Sequence, residues 1–352
     1  MSELTVAAGL ARALMDLAVS KGASRTALVE RSGIDPQDLQ DQDTRIPLAK
    51  YLVLMRAGKE LCNDPALALH FSEAIDLSEI SIVGLIGRAS QTMIEAFAQL
   101  NRYGRLVIEV DVGTADRFHV THGDGGLWLV DNRRNPNDFP ELTESALTRI
   151  VCGCTRMICD SGWIGETPSA KAVHVTHADP GYRAEYDRIF RAPVVFESDK
   201  NAILIDAMWP THRLALQPRY VFGILSGHAE ALLKSLESSK STRGRVESLL
   251  MPILHTGDVG MDAIADKMGG SRWTLSRKLK AEGVTFEQVL DELRHKMALH
   301  YLSGKKVSVN ETAYLVGFSE PAAFSRAFKR WTGTSPRAAR SPKAQSDRTG
   351  EA

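Results

Sequence analysis

The chain has 352 residues, 43% hydrophobic and 24% charged, proportions that suit a soluble globular protein with two or three separately cored domains. No net charge remains overall, but residues 242–343 carry 17 Lys and Arg against 10 Asp and Glu, whereas residues 1–241 carry 25 against 31. A basic module joined to an acidic one is the electrostatic outline of a nucleic-acid reader attached to something that is not one. Met1–Ser20 lacks the charged start and apolar core of a signal peptide, and no apolar run approaches a membrane span. A cytoplasmic protein is expected. Cys62, Cys152, Cys154 and Cys159 fit no zinc spacing and read as buried free thiols in a reducing compartment, so neither metal nor cofactor is expected.

In chain order, residues 4–20 place Leu10, Leu14, Leu17 and Ala18 at helical spacing and predict one helix. A short helix over Thr26–Ser32 ends at Gly33, and Ile46-Pro47-Leu48 leads into a long helix reaching about Leu61. Leu106–Val112, Phe118–Thr121 and Leu127–Val130 predict antiparallel strands about Gly-bearing turns. Leu142–Cys159 predicts a helix opened by Pro140, Ala172–Val175 a strand, Tyr182–Phe190 a helix, and Val194–Phe196 and Ala202–Ile205 strands. The expectation for residues 1–215 is an α+β domain whose sheet and helices could enclose a small molecule.

Pro210 and Pro218 punctuate its exit, and residues 216–241 read as a helix and linker. The helix, Val221–Leu236, carries Ile224, Leu225, His228, Leu232 and Leu236 as a stripe. Leu225, Leu232 and Leu236 form either a dimer seam or a face packed on the N-terminal sheet. The polar tract Glu237–Gly244 reads as the linker proper. Residues 242–340 then read as an all-α domain, and 341–352, polar and charge-rich, as a disordered tail.

Within 242–340, Val246, Leu249, Leu250 and Ile253 form the apolar face of a first helix that Pro252 should kink or end. Phe286–Leu302 reads as one helix, roughly 25 Å long at about 1.5 Å per residue, with Phe286, Val289, Leu290, Leu293, Met297 and Tyr301 on one side. On either side of it one pattern is written twice. Ala265, Gly269 and Ser271 recur as Ala313, Gly317 and Ser319 at an offset of 48, Ser276, Arg277 and Lys280 as Ser325, Arg326 and Lys329 at 49, and Gly283 as Gly333 at 50. Such a repeat marks one supersecondary unit used twice. Each copy reads as helix, glycine turn, helix, with Ser271 or Ser319 capping the second helix. Gly260 is a weaker start to the first copy than the Ser308-x-x-Glu311 capping box is to the second. Leu275 with Leu279, and Phe324 with Phe328, make the buried stripes, leaving a basic outward face. A helix so built and held by a short turn is how a helix-turn-helix enters a major groove. The alternative is a pair of ordinary helices with a solvated charged face.

These residues carry a resemblance. Met268 to Lys280, and Gly317-Phe318-Ser319 through Phe324–Arg330 with Gly333 and Pro336, resemble the two reading units of AraC/XylS-type transcription regulators. Thr312, Ala339 and Trp273 depart from the usual pattern. Residues 23–209, with Asp64-Pro65-Ala66-Leu67-Ala68-Leu69, Gly84-Leu85-Ile86-Gly87, Glu95-Ala96 and Tyr103, resemble the arabinose-binding-type N-terminal domain of an ornithine-regulator-like subgroup. The resemblance implies two helix-turn-helix units joined by the long helix and entering successive major grooves. It implies double-stranded DNA, RNA polymerase, a small-molecule effector and a second copy as partners of an activator.

The expected DNA-binding residues are Arg272, Trp273, Thr274, Ser276, Arg277, Lys280, Pro321, Ala322, Ser325, Arg326 and Lys329. Arg277 and Arg326 are equivalent, and Arg is the commonest reader of guanine. Each could instead meet a phosphate or an intramolecular partner. Trp273 reads as an exposed DNA-facing ring or as a core tryptophan. Ser276 and Ser325 can bond bases or phosphates. Pro321, Ala322 and Ala323 have no side-chain donors and offer thymine methyl contacts but little polar readout, so the first unit should carry more base specificity. Arg272, Lys278, Lys280, Lys329 and Arg330 are phosphate candidates. Two other readings stay open: an N-terminal domain that only dimerises, and an enzyme fused to a DNA-binding module. His174, His177 and Asp179 are the only residues that suggest the latter, and no second cluster of ligands accompanies them.

Overall fold

The computed structural model describes residues 3–340 apart from 114, 124, 163–169, 207–208, 215–218, 258 and 304–306. It divides into two units, Met1–Leu233 and Lys234–Ala352. Residues 4–20, expected as one helix, split at Ala7. Strand β1 (Thr5–Ala7) comes first and helix α1 (Ala8–Ser20) follows. Val6 is buried, the Thr5 hydroxyl donates to Glu109 Oε2 at 2.8 Å, and the Arg45 guanidinium reaches the Thr5 carbonyl at 3.0 Å. Those partners are distant in sequence, so local periodicity could not reveal the strand.

After α2 (Arg25–Ser32), β2 (Arg45–Pro47) pairs antiparallel with β1, Val6 opposite Ile46. Helices α3 (Leu48–Leu61), α4 (Leu67–Ala74), α5 (Leu77–Ile80), α6 (Ile82–Ala89) and α7 (Met93–Tyr103) follow. The strand expected over Leu106–Val112 is absent from the main sheet. Its residues close a short 3-10 turn and then lie against β1, the Ala7 amide donating to Val107 O at 2.9 Å and Ile108 bridging Val6.

The main sheet comprises β3 (Phe118–Gly123), β4 (Gly126–Asp131), β5 (Ala172–His174), β6 (Val194–Val195) and β7 (Ala202–Ile205), in the order β3-β4-β7-β5-β6. All neighbours are antiparallel except β5 and β6. Leu127, Leu129, Val173, Ile203 and Ile205 share one core with α8 (Pro140–Asp160) and α9 (Arg183–Phe190). The first unit is thus α+β.

Of the four free cysteines only Cys154 is buried; Cys62 and Cys152 are half-buried and Cys159 is exposed. The expectation of buried thiols therefore holds at one position. Helix α10 (Arg219–Lys240) starts earlier and ends later than its apolar stripe suggested. In the first unit it lies along α7, with Arg219 to Glu95 at 2.9 Å and Arg102 to Glu230 at 2.8 Å. Leu225 and Leu232 are half-buried and Leu236 is buried, whereas Tyr220, Val221 and Ile224 are its exposed large apolar residues. Leu225 and Leu232 are thus partly covered within the chain itself.

The second unit contains α11 (Thr242–Leu250), α12 (Met261–Lys267), α13 (Arg272–Ala281), α14 (Phe286–Ser303), α15 (Val309–Leu315), α16 (Pro321–Thr332) and α17 (Pro336–Arg340). Pro252 ends α11 as expected, the chain tightening into a 3-10 turn over Met251–Thr256. One core gathers Val246, Leu250, Ile264, Leu275, Leu279, Val289, Leu293, Phe324 and Phe328. The Glu237–Gly244 tract, expected as the linker, is helical, with Ser241 alone between α10 and α11. Ser241 Oγ caps α11 by accepting the Gly244 amide at 2.8 Å, and the Glu282 carboxylate accepts the Thr242 and Arg243 amides at 2.6 and 3.0 Å. The tail over 341–352 lies outside the described residues.

Candidate nucleic-acid interface

The first copy of the repeat folds as α12, a turn at Gly269 with φ of +69°, and α13. Ser271 Oγ accepts the Thr274 amide at 3.3 Å and fixes the start of α13. Leu275 and Leu279 point into the core, which turns Arg272, Trp273, Ser276, Arg277, Lys278 and Lys280 outward; Thr274 is half-buried. Trp273 is 68% exposed, which rules out the core reading. The Arg277 guanidinium lies 4.7 Å from the centre of its ring. The pair is four residues apart, one turn of helix, so the stack holds Arg277 on the exposed face. Arg272 is engaged by Asp262 at 3.1 Å, a partner on α12 that no local pattern predicts.

The second copy folds as α15, a turn at Gly317 with φ of +78°, and α16. The capping box is present: Ser308 Oγ accepts the Glu311 amide at 3.1 Å while the Glu311 carboxylate accepts that of Ser308 at 2.5 Å. Ser319 was expected to cap the second helix, but Glu320 occupies that position without a side-chain bond and Pro321 follows at the first helical residue. Proline needs no amide partner there, so the cap has less to satisfy. Phe324 and Phe328 are buried. Ala322, Arg326, Lys329 and Arg330 are exposed, and Pro321, Ala323 and Ser325 half-buried. Arg326 has no hydrogen-bonding or ionic partner among the described residues, whereas Arg330 is held by Asp291 of α14 at 2.6 Å.

Helix α14 braces the second unit. Arg294 donates to the carbonyls of Val316 and Gly317 at 3.1 and 3.2 Å, fixing the turn before α16, and burial lowers its guanidinium from the usual value. Asp291 also receives Trp331 Nε1 at 3.4 Å. Toward the other end of the unit, Arg243 joins Glu247 at 2.8 Å and pairs with Glu292. Asp291 and Arg294 are positioning residues that sequence reading missed. Their partners lie 22 to 40 residues away, beyond any local pattern.

Residues 22–214 match the model of the arabinose-binding domain of AraC transcription regulators, N-terminal, and residues 264–341 that of a helix-turn-helix domain. The chain belongs to the AraC family of transcription regulators. An ornithine utilization regulator of Pseudomonas aeruginosa is 26% identical over 93% of this chain and 93% of its own length. The regulator VirS of Mycobacterium tuberculosis is 26% identical over 92% of each. The solved transcriptional regulator CdpR of Pseudomonas aeruginosa aligns with 20% identity over 78% of this chain and 86% of that one, at a TM-score of 0.35.

As an AraC-family member the chain is a DNA-binding transcription regulator, with an α+β N-terminal unit and a helical helix-turn-helix unit. His174 and His177, which had suggested catalysis, have other partners. His174 Nδ1 meets Ser198 Oγ at 2.9 Å, and His177 meets Ala178 O and the Tyr186 hydroxyl at 2.8 and 3.2 Å. Asp179 accepts the Gly181 amide at 2.9 Å. Among the described residues no helix is long and apolar enough to cross a membrane.

Proposed function

We propose that this regulator reads DNA chiefly through α13 and positions itself through α16. The observation that carries this reading is the exposed Trp273–Arg277 stack on α13, set against the Pro321-Ala322-Ala323 opening of α16, which has no side-chain donor. On α13, Arg277 reaches base edges, Trp273 packs on sugar or a thymine methyl, and Thr274, Ser276 and Lys280 complete the contact. Arg272 turns to a phosphate when it leaves Asp262. On α16, Pro321 and Ala322 approach the groove wall while Ser325, Arg326 and Lys329 hold the backbone. The regulator works in the cytoplasm as a homodimer, acts by binding alone, contacts RNA polymerase as an activator, and answers to a small molecule bound in its N-terminal unit.

Binding-site selection with single variants tests the division between helices. Arg277→Ala should cost roughly 1–3 kcal/mol on the specific site and relax preference at a few base pairs. Arg326→Ala should weaken specific and non-specific DNA about evenly. A changed site for Arg326→Ala with an unchanged one for Arg277→Ala would refute the proposal.

A further inference from the structure

Glu144 lies within α8 and is 1% exposed. Tyr182 and Tyr186 both donate to its Oε1, each at 2.6 Å, and His177 Nε2 stands 3.2 Å from the Tyr186 hydroxyl. Its Oε2 is buried and has no hydrogen-bond partner among the described residues. Lys59, whose charge is felt by the carboxyl, is itself paired with Glu141 at 3.0 Å. Thr148 Oγ1, one turn further along the same face of α8, and Ser72 Oγ on α4, the helix packed against it, are also buried and have no hydrogen-bond partner among the described residues.

A buried carboxyl oxygen without a donor is costly, and proteins seldom leave one so. Burial accordingly pushes the Glu144 carboxyl above its usual range, although both tyrosine hydroxyls act the other way. Two donors crowd one oxygen while the other has none. The surroundings are aromatic: Tyr182 and Tyr186 stack with centroids 6.0 Å apart, and Phe196 meets Tyr186 edge-on at 5.1 Å. A carboxylate among ring faces is an environment that favours an organic cation. Of the three hydrogen-bonded residues, Tyr182 alone is not fully enclosed. It is only half-buried while Glu144 and Tyr186 are enclosed, and it ends an irregular segment after Gly181, whose φ is +88°.

We propose that Glu144, Tyr182 and Tyr186 form a binding site for a small molecule bearing a protonated amine or guanidinium, admitted when the Tyr182 ring swings aside. The cationic group donates to Oε2 and competes with the Tyr182 hydroxyl for the carboxylate, and the rings of Tyr186 and Phe196 flank it. The site rests on the reading that the N-terminal unit binds an effector, and it supplies the chemical class of that effector.

The test uses the full chain, with putrescine, L-ornithine and L-arginine as cationic probes and pentanoate and hexanoate as controls lacking any cationic group. Thermal shift and calorimetry report binding, and DNA affinity is followed in parallel. At least one cationic probe should raise Tm, and Glu144→Gln should weaken that probe by roughly tenfold or more while leaving DNA binding intact. Tyr182→Phe removes the competing hydroxyl and should tighten the same probe. That second variant decides the matter if Glu144→Gln does not fold, since unchanged or weaker binding there overturns the proposal. Equal response of wild type and Glu144→Gln places the ligand elsewhere, and a response confined to hexanoate overturns the cationic class. Both outcomes leave the effector reading standing. Silence from all the cationic probes overturns the site, whereas the effector reading itself fails only if a broad metabolite screen leaves DNA affinity unmoved.

Discussion

Gly269 and Gly317 sit at matching points of the repeat with nearly the same backbone, yet their surroundings differ. A Cβ on Gly269 would meet nothing within 4 Å, whereas one on Gly317 would lie 2.2 Å from the Leu254 carbonyl oxygen. Gly269→Ala should therefore cost only the left-handed strain of about 1–2 kcal/mol. Gly317→Ala adds a backbone clash and should cost clearly more, a ranking that denaturant titration of the two variants would check. Trp273 separates binding from stability in a similar way. Being exposed, it contributes little to the fold, but its stack with Arg277 is worth about 0.5–1 kcal/mol at an exposed site. Trp273→Ala should leave Tm near wild type and lower DNA affinity, with Trp273→Phe in between. A large loss of Tm would contradict the exposed placement.

At the scale of elements, the start of α11 depends on a carboxylate from elsewhere in its unit. Burial acts to raise the Glu282 carboxyl, but the bonds from Arg243 and Thr242 outweigh it and hold the group below the usual range. A depressed carboxyl stabilises the fold above the unfolded value, near about 4.3, and loses that contribution as pH falls through the folded one. Glu282→Ala should thus lower Tm at neutral pH, and the difference from wild type should shrink in acid. Thermal melts of both proteins across that range would show a constant gap if the bonds do not matter. Sequence made some of these elements plain. Ser308 and Glu311 wrote their capping box within four residues, Pro252 its break, and Ala202–Ile205 its strand, because each depends on neighbours in the chain. The rest depended on distant partners. Thr5–Ala7 became a strand through Arg45 and Glu109, Ser319 yielded the cap to Glu320 before Pro321, and the Glu144 cluster joins residues 33 to 42 apart that no motif connects.

Across the whole molecule the boundary before the DNA-binding unit has consequences. A fragment beginning at Thr242 would discard Ser241, the cap of α11, and Ser238, whose carbonyl accepts the Ser241 hydroxyl at 2.8 Å and lies where a Gly244 side chain would be. Loss of the cap alone costs about 0.5–2 kcal/mol. A fragment from Lys234 to Arg340 should therefore fold and bind DNA by itself, and should melt above one from Thr242. Its attraction to DNA is electrostatic at base, since the positive balance of the chain is concentrated there. Arg277, Lys278, Lys280, Arg326 and Lys329 are exposed and form no ion pair among the described residues. If about five phosphates are neutralised, log K should fall with log salt at a slope of roughly −4 to −5. Removing Lys280 or Lys329 should reduce that slope by about 1 while sparing base preference. Equilibrium titrations at several salt concentrations, on specific and unrelated duplexes, would measure both. A slope near zero would mean that these cations do not face the phosphate backbone, and that the outward faces of α13 and α16 are not the DNA surface.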